Sequence, residues 1–510
     1  MFKKLLVANR GEIAVRIMRA CRELGIASVA MFSDVDRQSM HVRYATEAYY
    51  LGPSPAPESY LNIERVIDLA RRAGADAVHP GYGFLAENPH FARACAQAGL
   101  TFIGPTPEAM HLLGNKIEAR RVMAEAGVPV VAGTGRIDDP EAAVAAANRI
   151  GYPVLVKAAA GGGGRGIRQA DSEDDLRRAL GAASGEAQAA FGDGGVYVEK
   201  LLAPVRHIEV QLIADHHGNI VALGERECSI QRRHQKMIEE SPSPGVDAYL
   251  RDRLVWASIT AARVVNYRNV GTVEFLVDLD QHFYFLEMNT RLQVEHPVTE
   301  IVAGVDLVAD QIRVAAGERL HYTQEAVPRR GWAIECRIVA EDPLHGFVPS
   351  VGRIEFAREP AGPGVRVESA LYDGFEVSHY YDALVAKVTS WGRDRPEAIR
   401  RMRRALSEFK IVGVETNLQF HVQVMDNLAF QEGRLTTDFL EEHFNPRYEP
   451  PAEGAEAALI AAALLTHLRA GGVRLNGASP DDDGVRQPQG NAWRRAGRRA
   501  QTGGPAWRAR

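Results

Sequence analysis

Cysteine is scarce in this sequence: Cys21, Cys95, Cys228 and Cys336 are spread through 510 residues. No two of them sit at a CxxC or Cys/His ligand spacing, which speaks against a disulfide framework and against a zinc site. Long hydrophobic runs are missing too. The stretch Leu5 to Ala8 is halted by Asn9-Arg10, too short for a signal-peptide core, and the longest later one, near Ala457 to Leu465, is broken by His467 and Arg469. Neither sign of charge dominates, the formal net charge being -5, so no nucleic-acid partner is expected. These absences lead to an expectation of a reducing, cytoplasmic compartment and no membrane partner.

What is present is an ordinary globular composition, 46 % apolar and 25 % charged, at a length that calls for roughly two to four compact units. Residues 4 to 8 read as a buried strand, followed by a helix with Ile13, Ile17, Cys21 and Leu24 on one face, ended by Gly25. Further strands are expected at Ser28 to Phe32, Ala75 to His79 and Thr101 to Gly104. Helices are expected around Ile63 to Ala70 and Asn88 to Ala98, making an open parallel α/β unit over 1–114. From 115 to 330 a helix at Ile117 to Ala126 and a strand at Pro153 to Ala158 precede hairpin-like strands. In these, Ile208, Val210 and Leu212 alternate before a turn at His216 to Asn219. A third unit over 331–446 holds a helix with Ile399, Met402, Leu406 and Phe409 as its core face. Arg400, Arg401, Arg403 and Arg404 form a solvated outer face. Residues 447–510 are rich in Ala and Arg, with one helix near Glu456 to Leu468, and read as otherwise disordered or partner-dependent.

Residues 271 to 300, GTVEFLVDLDQHFYFLEMNTRLQVEHPVTE, carry the most chemistry. Two strands flank the turn Asp278 to Gln281, and closing the hairpin there sets Glu274 opposite Glu287, with Asn289 on the same face. Like charges in that position destabilise a hairpin unless a cation lies between them, and oxygen-only ligands select Mg²⁺ or Mn²⁺ beside a phosphate chain. The plain alternative is a solvent-facing pair in a slipped register; Phe285 and Leu276, expected on the same face, argue against full exposure. Arg291, Gln293 and Glu295 alternate, so in an extended segment all three project to one side. There a guanidinium fork suits a small planar oxyanion such as bicarbonate, and a carboxylate can act as general base. Upstream, Lys157 precedes the glycine run 161–164, where backbone amides can approach phosphate oxygens. Lys116 is a second candidate phosphate contact. His207, Gln231 and His234 suit either nucleotide contacts or structural hydrogen bonds. Tyr82 and Arg10 to Glu12 follow strand ends, where ligands of open α/β sheets bind.

Together ANRGEIA, HPGYGFLAEN, GNKIEAR, VRHIEVQ, CSIQRRHQK, FLEMNTRLQVEHPVTE, AIECRIVAEDP and YYDALVAK resemble biotin carboxylase, the ATP-grasp component of biotin-dependent carboxylases, from Phe2 to about Asn445. The resemblance implies an ATP-grasp fold, α/β and α+β. It would comprise a Rossmann-like N-terminal sheet, a mobile Gly-rich lid at about 130–203 and a C-terminal α+β domain. It implies that Lys116, Lys157, Gly163, Gly164, Glu199, Lys200, Leu201, Leu202, His207, Gln231 and His234 contact ATP, and that Glu274, Glu287 and Asn289 hold the metals. Lys236, Arg291, Gln293 and the backbone of Val294 would bind bicarbonate. Glu295 would be the base, Arg337 would stabilise biotin's ureido oxygen as an enolate, and Tyr82 would lie at the substrate. Implied partners are a biotin carboxyl carrier protein, carboxyltransferase subunits and a second copy of the chain, with Arg16, Arg19, Glu23 and Arg366 matching the family's dimer surface. Acetyl-CoA or propionyl-CoA would be carboxylated downstream, the former serving fatty acid biosynthesis. Pro363 replaces an aromatic near that surface, Ala160 stands where relatives often begin a longer glycine run, and no Met-Lys-Met biotin-attachment motif occurs.

Overall fold

The computed structural model of the protein describes residues 1–137, 139–159, 167–191, 194–444, 460 and 463–464, apart from the side chains of 190 and 191. Met1–Pro446 forms one compact unit. In the second, Arg447–Arg510, the described residues 460, 463 and 464 are helical and exposed. The glycines expected at the lid tip and nearly all of the expected tail helix lie outside the described residues. Among those described, no helix is long and apolar enough to cross a membrane.

The chain opens with five parallel strands, β1 (Lys4–Val7), β2 (Ala27–Ser33), β3 (Glu47–Gly52), β4 (Ala77–His79) and β5 (Thr101–Phe102), in the order β3-β2-β1-β4-β5. β3 is absent from the sequence reading. It is a sheet edge on which only Leu51 and Gly52 are buried, so its apolar signal is short. The order reverses beside β1, and the segments leaving β1 and β4 at their carboxyl ends flank a crevice there. Gly81, at φ +63, makes the turn after β4, and a Cβ on it would come within 2.9 Å of Asn9 Nδ2. That amide donates to the carbonyls of Pro80 and Tyr82 at 2.7 Å each, which holds Tyr82 at the crevice.

A three-stranded antiparallel sheet follows, β6 (Val154–Ala158), β7 (Arg168–Ala170) and β8 (Val196–Lys200), with β6 in the middle. Helices Pro140–Ile150 and Glu173–Phe191 cover one side through Ala143, Val144, Leu176 and Leu180 packed on Val154, Val156 and Val198.

The largest element is an eight-stranded antiparallel sheet. It contains β9 (Val205–Ala214), β10 (Ile220–Arg232), β11 (Gln235–Ser241), β12 (Asn269–Asp278), β13 (Phe283–Asn289) and β14 (Trp332–Val339), followed by strands Leu384–Gly392 and Val365–Ser369. Its order is β13-β12-β9-β10-β11-β14, then those two strands. β11 pairs with β14, so one sheet runs across the position near 330 where the sequence reading divides the chain. Helix Arg395–Glu408 packs Ile399, Met402 and Leu406 into a core with Ile334, Ile338 and Val388. On its outer side Arg401 pairs with Glu397, Arg403 with Asp426 and Arg404 with Glu408, consistent with a solvated face.

The hairpin register holds where the chemistry needs it: Glu274 is opposite Glu287 and Thr272 opposite Asn289. Between Glu274 and Phe275 the register shifts by one, leaving Leu286 as the extra residue of a bulge. This corrects the expectation for Phe285. It pairs with Phe275 and lies in the hydrophobic core with Val273, Phe283 and Met288, on the side away from the glutamates. Phe285→Ala is therefore expected to cost about 3–5 kcal/mol in urea unfolding, as for a core aromatic. The half-buried bulge residue tested as Leu286→Ala should cost clearly less, and equal losses would place Phe285 outside the core.

Candidate active site

A cleft of about 1020 Å³ lies along the crevice beside β1 and is floored by the large sheet. Its lining includes Tyr82, Lys116, His207, His234, Lys236, Glu274, Glu287, Asn289, Arg291, Gln293, Val294 and Arg337, so residues expected to act together do share one space. Pleating explains why the large sheet supplies so many of them. On β9, β12 and β14 alternate side chains face the cleft and those between them face hydrophobic cores, while on β11 a register shift at Met237 sets Met237 and Ile238 in the core and Lys236 and Glu239 on the charged side.

Lys236 is the centre of the charge arrangement. Its Nζ donates to Glu209 Oε2 at 2.5 Å, Glu274 Oε1 at 2.8 Å and Glu295 Oε1 at 2.8 Å. Burial opposes its charge, but the three carboxylates hold its pKa well above the ordinary lysine value. Burial likewise opposes ionisation of Glu274 and Glu295. Lys236 and His207 outweigh it at Glu274, and Lys236, Arg337 and Arg226 outweigh it at Glu295, so both sit well below the usual carboxylate range. Glu209 is pushed up by burial, only partly offset by Arg226 and Lys236. His207, Glu209 and Glu274 bring possible ligand atoms within 4.8 Å of one another, but the Lys236 ammonium already takes that place as counter-ion.

Around this centre Asn289 Nδ2 and Gln293 Nε2 donate to Glu274 Oε1 at 2.8 and 3.3 Å. Arg291 donates to Gln293 Oε1 at 3.0 Å and Asn289 Oδ1 at 3.2 Å. Glu295 reaches Lys236 by a different route from the one expected. The chain is not extended as far as 295; it turns at Val294, and Glu295 is the N-cap of helix His296–Ala303. Pro297 suits that first turn, and the helix N-terminus adds a favourable field for a carboxylate. Glu295 is fully buried and also accepts from Arg337 Nη2 at 2.8 Å.

The expected nucleotide residues divide between two places. Lys116 begins a helix capped by Asn115 and lies 3.2 Å from Glu287 Oε2. Burial works against its ammonium, but Glu287 and Tyr197 outweigh it and hold its pKa above the ordinary value. His207 Nε2 is 3.0 Å from Glu274 Oε2, and Gln231 Nε2 is 2.6 Å from His207 Nδ1. His234 forms with Arg233 the two-residue turn between β10 and β11, both at positive φ. Burial, with Lys157 and His207 adding to it, lowers the His234 pKa. Lys157 and Glu199 sit in the small sheet, 2.6 Å apart, and Lys200 Nζ is turned to the carbonyls of Gly151 and Tyr152 at 3.0 Å. Lys157 and residues 199–202 are not among those lining the cleft, but the Lys157 charge acts on the cleft residues Lys116 and Glu287 as well as His234. Gly163 and Gly164 lie outside the described residues.

Three acidic residues, Glu87, Glu209 and Glu239, were missed by sequence reasoning. Glu87 holds Arg291 Nε at 3.2 Å and accepts from Thr290 N at 3.0 Å. Glu209 pairs Lys236 and Arg226. Glu239 accepts from Arg337 Nε at 2.5 Å. Glu12, which the sequence reading sets at a strand end with Tyr82, accepts from the Tyr82 hydroxyl and lies 3.3 Å from Lys387 Nζ. Glu209 had a signal, because it alternates with Ile208 and Val210 on the face of His207. Of the residues expected at a dimer surface, Arg19 and Glu23 are exposed. Arg16 is buried, bonded to Glu300 and Asp306, and Arg366 pairs with Glu300 and Glu368.

Comparison with known proteins bears on the whole unit. Residues 1–110 match the family described as biotin carboxylase, N-terminal domain. Residues 115–323 match the carbamoyl-phosphate synthase L chain, ATP binding domain, and 335–442 the biotin carboxylase C-terminal domain. Biotin carboxylase 1 of Bacillus subtilis is 52% identical over 445 residues, 87% of this chain and 99% of that one. A pyruvate carboxylase subunit of Methanothermobacter thermautotrophicus is 53% identical over 444 residues, 87% of this chain and 90% of that one. A solved structure is similar with a TM-score of 0.86 and 49% identity over 88% of this chain and all of that one. It is the biotin carboxylase domain dimer of Hydrogenobacter thermophilus 2-oxoglutarate carboxylase, in complex with MgADP, ADP and bicarbonate.

The electrostatics make an expected outcome for stability. Glu274 and Glu295 have folded-state pKa values below the unfolded value of 4.5, so their contribution is present above that pH and is lost as pH falls through their depressed values. Thermal unfolding midpoints should fall steeply on acidification below about pH 4.5. Lys236→Met, which leaves three buried carboxylates without their shared cation, should cost about 3–5 kcal/mol near pH 7 and flatten that acid dependence; an unchanged slope would refute the coupling.

Proposed function

The chain belongs to the biotin carboxylase family of ATP-dependent ligases, and on that premise we propose that it uses MgATP and bicarbonate to carboxylate biotin held on a carrier protein. The observation that carries this reading is the convergence on one cleft of Arg291, Gln293, Lys236, Glu295 and Arg337. They unite an oxyanion fork, a carboxylate base and a second fixed guanidinium.

Bicarbonate is held by Arg291, Gln293, Lys236 and the Val294 amide. Glu295, ionised and buried against Lys236 and Arg337, takes its proton as a bicarbonate oxygen attacks the γ-phosphorus and ADP leaves. The resulting carboxyphosphate collapses to CO2 and phosphate, and the phosphate removes the N1′ proton of biotin, which then attacks CO2. Arg337 faces the ureido oxygen on which negative charge develops, while Tyr82 borders the biotin. Most of the protein's contribution is positioning and charge stabilisation in a water-poor cleft.

Lys116, Lys157, His207, Gln231, His234 and residues 199–202 serve the nucleotide, with the small sheet acting as a lid that brings Lys157 and 199–202 to the cleft on closing. Glu274, Glu287 and Asn289 present only oxygen donors from one face, a set that fits a hard divalent cation, Mg²⁺ or Mn²⁺. Such a cation would neutralise phosphate charge. A carboxyltransferase selects the final acceptor, an acyl-CoA or, by likeness to the pyruvate and 2-oxoglutarate enzymes, a 2-oxo acid. A homodimer is proposed through the face bearing Arg19 and Glu23, supported by the dimeric form of the Hydrogenobacter domain.

Incubation with MgATP, bicarbonate and free biotin is expected to release ADP in a biotin-dependent manner, with Glu295→Gln and Arg291→Ala each lowering kcat by about 100-fold or more. ADP release that ignores biotin and requires an amino acceptor would overturn the proposal.

A further inference from the structure

Behind Arg337, on the buried side of the sheet's cleft face, Glu239 of β11 and Glu335 of β14 stand directly opposite each other. Both are 0 % exposed. Cross-strand partners share a face with their Cβ atoms about 4.5–5.5 Å apart, so two ionised carboxylates there would repel in a region without water. Each also leaves one buried oxygen without a partner, Oε2 of Glu239 and Oε1 of Glu335. Their other oxygens are engaged, Glu239 Oε1 by Arg337 Nε at 2.5 Å and Glu335 Oε2 by Thr389 Oγ1 at 2.8 Å.

The cations facing the pair, Arg337, Lys236 and Lys387, are each shared with other carboxylates. Arg337 on β14 is already bound by Glu295 at the start of helix His296–Ala303, and Lys236 on β11 is shared by Glu209, Glu274 and Glu295. Lys387, on the strand next to β14, lies 3.3 Å from Glu12 of helix Gly11–Glu23 and its charge is shared by Glu12, Glu335 and Glu368. Cys228 on β10 is buried beside Glu239 and its thiol is pushed up by burial; His296 on the helix is held neutral by burial. Burial also pushes Glu239 up to about 8 and Glu335 up to about 7, against the pull of Arg337 on the first and of Lys387 on the second.

We propose that Glu239 and Glu335 are a carboxyl pair that together carry one proton and position Arg337. Glu239 then fixes the guanidinium from behind without cancelling the positive charge it presents to the cleft. If both carboxyls were ionised, Arg337 would face three carboxylates, counting Glu295, and would stabilise a developing oxyanion poorly. The consequence for catalysis rests on the assignment of Arg337 to the ureido oxygen of biotin; the shared proton does not.

Difference infrared spectra of the full chain test the proton directly. At pH 7 the unaltered protein should show the carbonyl stretch of a protonated carboxylic acid that is lost in Glu239→Gln or Glu335→Gln. In the unaltered protein this band should titrate away as pH rises through about 8. A spectrum without such a band, or a band retained in both variants, overturns the proposal. On the activity side, kcat should fall on the alkaline side as the last proton leaves, and in Glu335→Gln, whose one remaining carboxyl is already ionised at pH 7, that limb should disappear, with KM for ATP unchanged. An unmoved limb would show that the pair does not act through Arg337. Absence of any biotin-dependent turnover would instead defeat the assigned function and leave the infrared result standing.

Discussion

A largely buried lysine bonded to three buried carboxylates is the constraint around which the rest of this molecule is arranged. Lys236 binds Glu209, Glu274 and Glu295, which arrive from β9, from β12 and from a helix N-terminus. Removing one ammonium and three carboxylates from water is tolerable only if each keeps partners. Arg226 supports Glu209, His207 and Asn289 support Glu274, and Arg337 supports Glu295. The same contacts orient the groups to which chemistry is assigned, so stability and catalysis draw on one network.

The large sheet makes this affordable by separating its two sides. Behind the cleft face, β12 and β13 pack Val273, Phe275, Phe283, Phe285 and Met288, the alternation on β13 interrupted by the bulge at Leu286, and β14 packs Ile334, Cys336 and Ile338. A hydrophobic layer thus anchors strands whose other face carries charges. Because β11 pairs with β14, groups from 236–239 and from 335–337 share one rigid frame, although nearly a hundred residues separate them along the chain.

The functional groups were legible where local geometry dictates them. The turn at Asp278 to Gln281 leaves little choice of register, and Glu274 does lie opposite Glu287. A bulge was not legible, since one extra residue leaves the turn unchanged and only the packing of Phe285 against Phe275 reveals it. Glu295 is legible as a member of the group, but the alternation sets it in an extended segment. The helix beginning at His296 shows that the same side chain can reach Lys236 from a turn. Glu87 and Glu239 could not be found by spacing, because their partners Arg291 and Arg337 lie far away in sequence.

By itself the sequence determined the parallel opening unit, the paired glutamates, the alternation of Arg291 and Gln293, and through its combined motifs the family. These are short-range properties, set by periodicity, turn residues and contiguous segments. Only the tertiary structure decided which carboxylates share Lys236, that Arg16 turns inward, and that Glu239 meets Glu335. Each of those depends on the order in which strands assemble, and buried charges take partners by proximity in space rather than along the chain.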